Sequence, residues 1–362
     1  MTDKIRYEKG RLHVEDIPAG DLAEKYGTPL YVYSGNQIAK NFKDLQKAFS
    51  VIPGARILYA LKANSNLEIL RHVCSLGAGA DTVSAGEIFL ALKSGFAPES
   101  ISLAGVGKTD RDIDFALSRG IGVIIVESNE ELKVVSERAA ALGRTARVSL
   151  RINPDVDART HPHISTGLKE NKFGINIDEA GETAKRASKM KNVELVGIHS
   201  HIGSQVTEHA PFEEAAESIR KFVIALKKDR IKIRQIDLGG GIGVRYRNAI
   251  RHKLLPVEKK EEPLIDLDAL AGVIKEKLSF PGCEIAIEPG RYIVAESGVL
   301  LTRVLYRKKS AGRTFVRLRG STGAAKNEKR RSRRNTDGRR IRLLHRFELQ
   351  LPPKASRNLR RK

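Results

Sequence analysis

Residues 122–127, GVIIVE, followed directly by 129–142, NEELKVVSERAAAL, set the pattern from which the fold is read. The first stretch is short, apolar and β-branched, as a buried strand requires; the second is an amphipathic, helix-like segment. The same apolar type of run recurs on both sides of this unit, at 57–62 (ILYALK), 78–83 (AGADTV), 101–106 (ISLAGV), 147–152 (RVSLRI), 195–201 (LVGIHSH), 233–238 (IRQIDL) and 284–288 (EIAIE). Helix-like segments such as 212–228 (FEEAAESIRKFVIALKK) lie between them. Strand–helix alternation predicts an α/β fold with a parallel sheet. Eight units over roughly 250 residues predict a (β/α)8 TIM-type barrel at 31–292. A doubly wound open sheet is the alternative, and the strand count favours the barrel.

Outside that region the pattern changes. Residues 1–30 read as a short strand and turn region, and 298–307 (GVLLTRVLYR) with 313–316 (RTFV) as strands. Periodicity then collapses, and 317–362 is expected to be a disordered basic tail. The chain of 362 residues has a net charge of +22, but 317–362 holds 17 of the 65 Lys and Arg and 3 of the 43 Asp and Glu, a net +14. The other 316 residues carry only +8. The tail has one aromatic residue, Phe347, and no zinc-finger, homeodomain or RNA-recognition pattern, so no specific nucleic-acid partner is expected. No run of about 18 apolar residues suggests a membrane span, and the first residues lack an apolar signal region. Two isolated cysteines make neither a disulfide framework nor a four-ligand zinc site. A cytoplasmic setting is expected.

In a barrel the C-terminal strand ends build the active site. Here they carry Lys62, Asp81, Asn153, His199, His201, Gly239, Gly240, Gly241, Glu288 and Arg291. Lys62 stands in an otherwise apolar strand, where desolvation would lower its pKa and make its amine nucleophilic; a snorkelling lysine is the plain alternative. DLGGGIG at 237–243 could cradle a phosphate with backbone N–H groups, or be only a tight strand exit. It matches neither dinucleotide-binding nor Walker patterns. Glu288 could face a protonated ring nitrogen and Arg291 a phosphate or carboxylate, or the two could form an internal ion pair. HSHIGSQ at 199–205 would put two histidines on one strand face, better suited to lie against a flat cofactor than to bind a metal, and no metal is expected.

Taken together these motifs resemble diaminopimelate decarboxylase, a pyridoxal-phosphate enzyme family with an alanine-racemase-like barrel and a C-terminal β domain. The resemblance runs from about residue 5 to about 316 through TPLYVYS, YALKANSN, GAGADTVSAGE, RINPDVDARTHPHISTGLKENKFGI, HSHIGSQ, DLGGGIG and EPGRYIVAESG, in order. The fourth and fifth look more like this family than like its ornithine or arginine decarboxylase relatives. The resemblance implies pyridoxal 5'-phosphate as cofactor and a small amino-acid substrate, meso-diaminopimelate, decarboxylated to lysine. It implies that Lys62 bonds covalently to the cofactor and that His201 stacks on its ring. Asp81 falls among the cofactor-binding residues. Ser204, Gly239, Gly240 and Gly241 match the phosphate cradle, Glu288 the partner of the ring nitrogen, and Arg291 the arginine near phosphate and substrate carboxylate. A homodimer is also implied, with 1–30 and 293–316 belonging to the β domain.

The sequence departs from the family after Val316. The family's Cys-Glu-Ser-Gly-Asp motif, a tyrosine near the phosphate and a substrate-binding arginine have no counterpart, and Cys74 and Cys283 lie in other contexts. The abrupt change inside an expected strand suggests that 317–362 is translated in a shifted frame, leaving the β domain incomplete and activity impaired. Two other readings are a barrel that binds the cofactor without catalysis and nonspecific nucleic-acid binding through the tail. Sequencing the gene across codon 316 tests the frame. A missing motif recovered in another frame is the expected result, and its absence from both other frames rules the shift out.

Overall fold

GVIIVE and the segment after it form the unit their pattern predicts. Val123–Val126 is a strand buried along its length and Asn129–Ala141 a helix. Ser128 starts the helix by accepting the Glu131 N–H at 3.0 Å, and Leu132, Val135 and Ala139 make its buried stripe. The computed structural model describes residues 4–158, 173–245, 264–310, 313–318 and 341–344. Within them the unit repeats as eight parallel strands: β1 (Arg56–Ala60), β2 (Gly79–Thr82), β3 (Ile101–Leu103), β4 (Val123–Val126), β5 (Ala146–Asn153), β6 (Val193–His199), β7 (Gln235–Asp237) and β8 (Glu284–Ile287). The ladder runs β5–β6–β7–β8–β1–β2–β3–β4, and β4 pairs back onto β5 through Ile124 with Val148, Ile125 with Ser149 and Val126 with Leu150. That closure excludes the open doubly wound sheet. Full burial of β2, β3 and β4 is what a parallel sheet covered by helices demands. Among the described residues, no helix is long and apolar enough to cross a membrane.

Several strands end earlier than their sequence suggests, β3 at Leu103 among them, and at two of them the early end places a site residue. β1 stops at Ala60, and Leu61–Ala63 forms a 3-10 turn that carries Lys62. The Tyr59 hydroxyl holds that turn by donating to the Asn64 carbonyl at 3.0 Å. β6 stops at His199, where Ser200 N–H makes a last bond to the Asp237 carbonyl at 2.8 Å, so His201 lies past the strand.

The chain forms two units, one of Met1–Tyr7 with Ser34–Ser297 and one of Glu8–Tyr33 with Gly298–Lys362. The first contains the barrel. In the second, Arg11–Val14 pairs with Ile17–Pro18, and the long strand Gly298–Ser310 pairs antiparallel with Leu30–Tyr33, Arg313–Leu318 and Ile341–Leu344. The expectation of an unstructured tail is therefore corrected at two places. Arg317 and Leu318 complete one strand, and Ile341–Leu344, IRLL, supplies another because it is an apolar run inside the basic region. The rest of the tail, 319–340 and 345–362, lies outside the described residues, as does 159–172 within the RINPDVD…KFGI motif.

Gly122 shows how closely the barrel's lower end is packed. A Cβ there would lie 2.2 Å from the Glu99 carbonyl oxygen. Gly122→Ala should cost about 1–3 kcal/mol of stability, as overpacking does. Urea unfolding measures it, and an unchanged midpoint would contradict this packing.

Candidate active site

Strand register brings three polar residues to one place. His199 pairs with Asp237 across β6 and β7, and Asp237 with Ala286 across β7 and β8. Glu288 lies two residues beyond Ala286. His199, Asp237 and Glu288 are 1%, 3% and 4% exposed. His199 Nε2 donates to Glu288 Oε2 at 3.2 Å. Burial alone would push the Glu288 carboxyl up. The charge and hydrogen bond of His199, with Lys62 and His201, bring it down to about 2.

Lys62 faces this group from the turn after β1. Its Nζ donates to Asp81 Oδ2 at 3.1 Å, and Asp81 is fully buried at the end of β2. Desolvation acts to lower the lysine's pKa, but the carboxylates of Asp81 and Glu288 outweigh it and the net shift is upward. This corrects the expectation of a depressed pKa. The perturbed partner is Asp81, raised to about 7 by burial and by the charge of Glu288 against the pull of Lys62. His201 accepts the Gly240 N–H on Nδ1 at 3.1 Å, which places a neutral ring's proton on Nε2. Burial and the positive charges of Lys62 and Arg151 hold its pKa well below the usual histidine range, so the ring is neutral.

The glycines of DLGGGIG are required by close approach. A Cβ on Gly240 would lie 2.3 Å from the Glu288 carbonyl oxygen, and one on Gly241 2.6 Å from that of Gly203. Two of their N–H groups are already used. Gly239 donates to Asp237 Oδ1 at 2.8 Å and Gly240 to His201. The Gly241 N–H has no partner among the described residues. Near this turn Arg291 Nε donates to Ser204 Oγ at 3.3 Å. Lys62, Asp81, His199, His201, Ser204, the glycine turn, Glu288 and Arg291 all lie in the barrel unit.

Sequence reading missed a second buried charge group. Arg151 on β5 pairs with Glu127 after β4 at 3.1 Å, with side chains 7% and 4% exposed. Glu127 also accepts the N–H groups of Gly105 and Gly174 at 3.2 and 3.1 Å. Lys108, itself buried, binds Glu131 at 2.6 Å, and Glu131 accepts the Glu127 N–H. The available signal was a charged residue at the end of an apolar run, in GVIIVE and RVSLRI, the same signal that singled out Lys62 and Glu288.

Three buried atoms at the mouth, Asp81 Oδ1, His199 Nδ1 and Glu288 Oε1, have no hydrogen-bond partner in the structure. Buried polar atoms without partners mark a site that a polar ligand completes. A glycine turn with the Gly241 N–H to spare, a neutral flat imidazole, an amine and a buried anion suit a ligand with a phosphate, an aromatic ring, an aldehyde and a cationic ring nitrogen. Pyridoxal phosphate fits this set.

Glu288 carries a pH prediction for the protein without cofactor. Its pKa in the fold, about 2, lies below the ordinary 4.5, so its stabilisation is present above 4.5 and is lost as pH falls through about 2. Glu288→Gln should cost on the order of 3 kcal/mol near neutral pH, with a gap to wild type that closes on acidification. Denaturation across pH reads it, and a pH-independent gap would contradict the assigned charge.

Comparison with known proteins places this site in a family. Residues 35–295 match the family model described as the pyridoxal binding domain of pyridoxal-dependent decarboxylases. A diaminopimelate decarboxylase of Aquifex aeolicus is 41% identical over 312 residues, 86% of this chain and 71% of that protein. That of Pseudomonas aeruginosa is 44% identical over 314 residues, 87% and 72% of the two chains. The crystal structure of diaminopimelate decarboxylase from Helicobacter pylori, complexed with L-lysine, superposes with a TM-score of 0.77 at 44% identity, covering 83% of this chain and 72% of that one. Family, cofactor chemistry and barrel geometry agree, and the chain belongs to the diaminopimelate decarboxylase family of pyridoxal-phosphate-dependent carboxy-lyases.

Proposed function

We propose that the reaction built into this site is decarboxylation of meso-2,6-diaminopimelate to L-lysine and CO2. The observation that carries it is the buried, ionised Glu288, locked by His199 in the same mouth as the Lys62–Asp81 pair. When bound, pyridoxal phosphate supplies an electron sink for the carbanion left by loss of CO2. A carboxylate as acidic as Glu288 keeps a ring nitrogen beside it protonated, which makes that sink deep.

The other residues divide the remaining work. Lys62 must lose a proton before its amine can attack a carbonyl, and Asp81, at 3.1 Å with a pKa near 7, is the acceptor within reach. Once recharged, the Lys62 ammonium is the group that can return a proton to the product carbon. His201 offers a neutral flat face and so adds no positive charge against a cationic ring. The phosphate falls to Ser204, Arg291 and the Gly241 N–H, while Gly239 and Gly240 shape the turn and orient Asp237 and His201. Arg291 also suits the substrate carboxylate.

The family reading further supports a homodimer, with residues 1–30 and 293–316 contributing to a second, β-rich domain, and a cytoplasmic enzyme. The 362 residues contain no Cys-Glu-Ser-Gly-Asp sequence, and on that ground turnover by this chain is expected to be low while cofactor binding persists. Release of CO2 from meso-diaminopimelate by the purified protein tests this directly. Weak release is expected, and near-normal turnover would overturn the impairment. Added pyridoxal phosphate should give a yellow absorbance that Lys62→Ala abolishes. An unaltered absorbance in that variant would remove Lys62 from its role.

A further inference from the structure

Asp237 has no part in the chemistry above beyond its bond to Gly239. It ends β7, buried, and its Oδ1 accepts the Gly239 N–H at 2.8 Å. One donor atom each of His199, Asp237 and Glu288 lies within 4.8 Å of the others. Two ionised carboxylates buried this close to each other repel, so the arrangement favours keeping one of them as the acid.

The surroundings decide which one. Glu288 receives His199 Nε2 at 3.2 Å and feels the charge of Lys62. Asp237 accepts a backbone N–H on Oδ1 and lies within reach of His199, whose Nε2 is engaged by Glu288, and the charges that push its carboxyl up are those of two acids, Glu288 after β8 and Asp81 on β2. The His199 hydrogen bond and the Lys62 charge favour ionisation of Glu288, whereas at Asp237 burial and the two acids outweigh the Gly239 N–H.

We propose that Asp237 is a positioning residue that stays protonated, donating to Glu288 through its hydroxyl while its other oxygen holds Gly239. One side chain then joins the carboxylate that serves the ring nitrogen to the glycine turn at the phosphate end. This rests on the cofactor roles given above for the two ends, while the protonation itself does not. Burial and the charge of Glu288 shift the Asp237 carboxyl well above its usual range, consistent with the assignment.

A protonated aspartate and an asparagine present the same pattern, one donor and one acceptor. Asp237→Asn should therefore keep both bonds, and Asp237→Ala should lose both. The first test uses the protein without cofactor. In an infrared difference spectrum of wild type against D237N at neutral pH, wild type should show the carbonyl stretch of a protonated acid. If the difference is instead a carboxylate band, the proposal fails. Asp81 does not confuse the result, because it is present in both proteins.

The second test uses the loaded protein. D237N should match wild type in cofactor affinity and in the pH midpoint of the cofactor absorbance. D237A should bind the cofactor roughly tenfold or more weakly and shift that midpoint. Equal damage in D237N and D237A would refute the assigned proton, and the D237N spectrum decides even if D237A does not fold. Stoichiometric divalent metal in the purified apoprotein would also refute it, since a His199–Asp237–Glu288 ligand set would hold Asp237 ionised. Failure of the wild type to load would count against the cofactor roles and leave the infrared result intact.

Discussion

A negative charge held at Glu288 inside a closed barrel is the constraint on which the rest of the site depends. Taking a carboxylate out of water is costly unless partners offset the loss. The barrel provides them by register. His199 arrives on the neighbouring face of β6, Lys62 on the turn after β1, and each stabilises the anion. The charge must then be matched along the whole mouth. Asp81 is pushed toward neutrality by burial and by Glu288, and Asp237 cannot ionise beside Glu288 without repulsion, while burial and the charges of Lys62 and Arg151 keep His201 neutral. The two acids Asp81 and Asp237, independent in sequence, are coupled through one buried charge.

The fold explains why this can be done on short strands. Closed parallel pairing buries both faces of β2, β3 and β4, so the ladder needs no polar outer face and can spend its polar residues at the C-terminal ends. The second ion group, Arg151 with Glu127, uses the same principle at β4 and β5. There the carboxylate gathers two backbone N–H groups as well as the guanidinium, which holds the Gly105 and Gly174 backbone to the barrel end.

Much of this was legible in the residues. Alternating apolar runs and amphipathic segments specified eight strands, and polar residues at the ends of those runs marked Lys62, Asp81, His199, Glu288 and Arg291. The strand count favoured closure, but the register of β4 on β5 that makes it could not be read from composition. The local geometry at Lys62 and His201 was also hidden, since ALKAN and HSHIG read as strand continuations while one turns at Leu61 and the other leaves the ladder after Ser200. The use of Gly239 and Gly240 to orient Asp237 and His201 could not be read from a glycine run. Nor could Arg151 and Glu127 be paired, because they stand 24 residues apart and meet only when β4 and β5 close the barrel. In the basic tail, net charge concealed the short apolar run IRLL that forms a strand.

The account's central claim is that the Lys62 amine and the Glu288 anion together build a seat for pyridoxal phosphate. Borohydride reduction of the cofactor-loaded protein, followed by peptide mapping by mass, addresses it most directly. The account predicts the added cofactor mass on the peptide that carries Lys62, with labelling lost when Glu288 is replaced by a residue that cannot hold the charge. Labelling on other lysines, or none on Lys62, would contradict it.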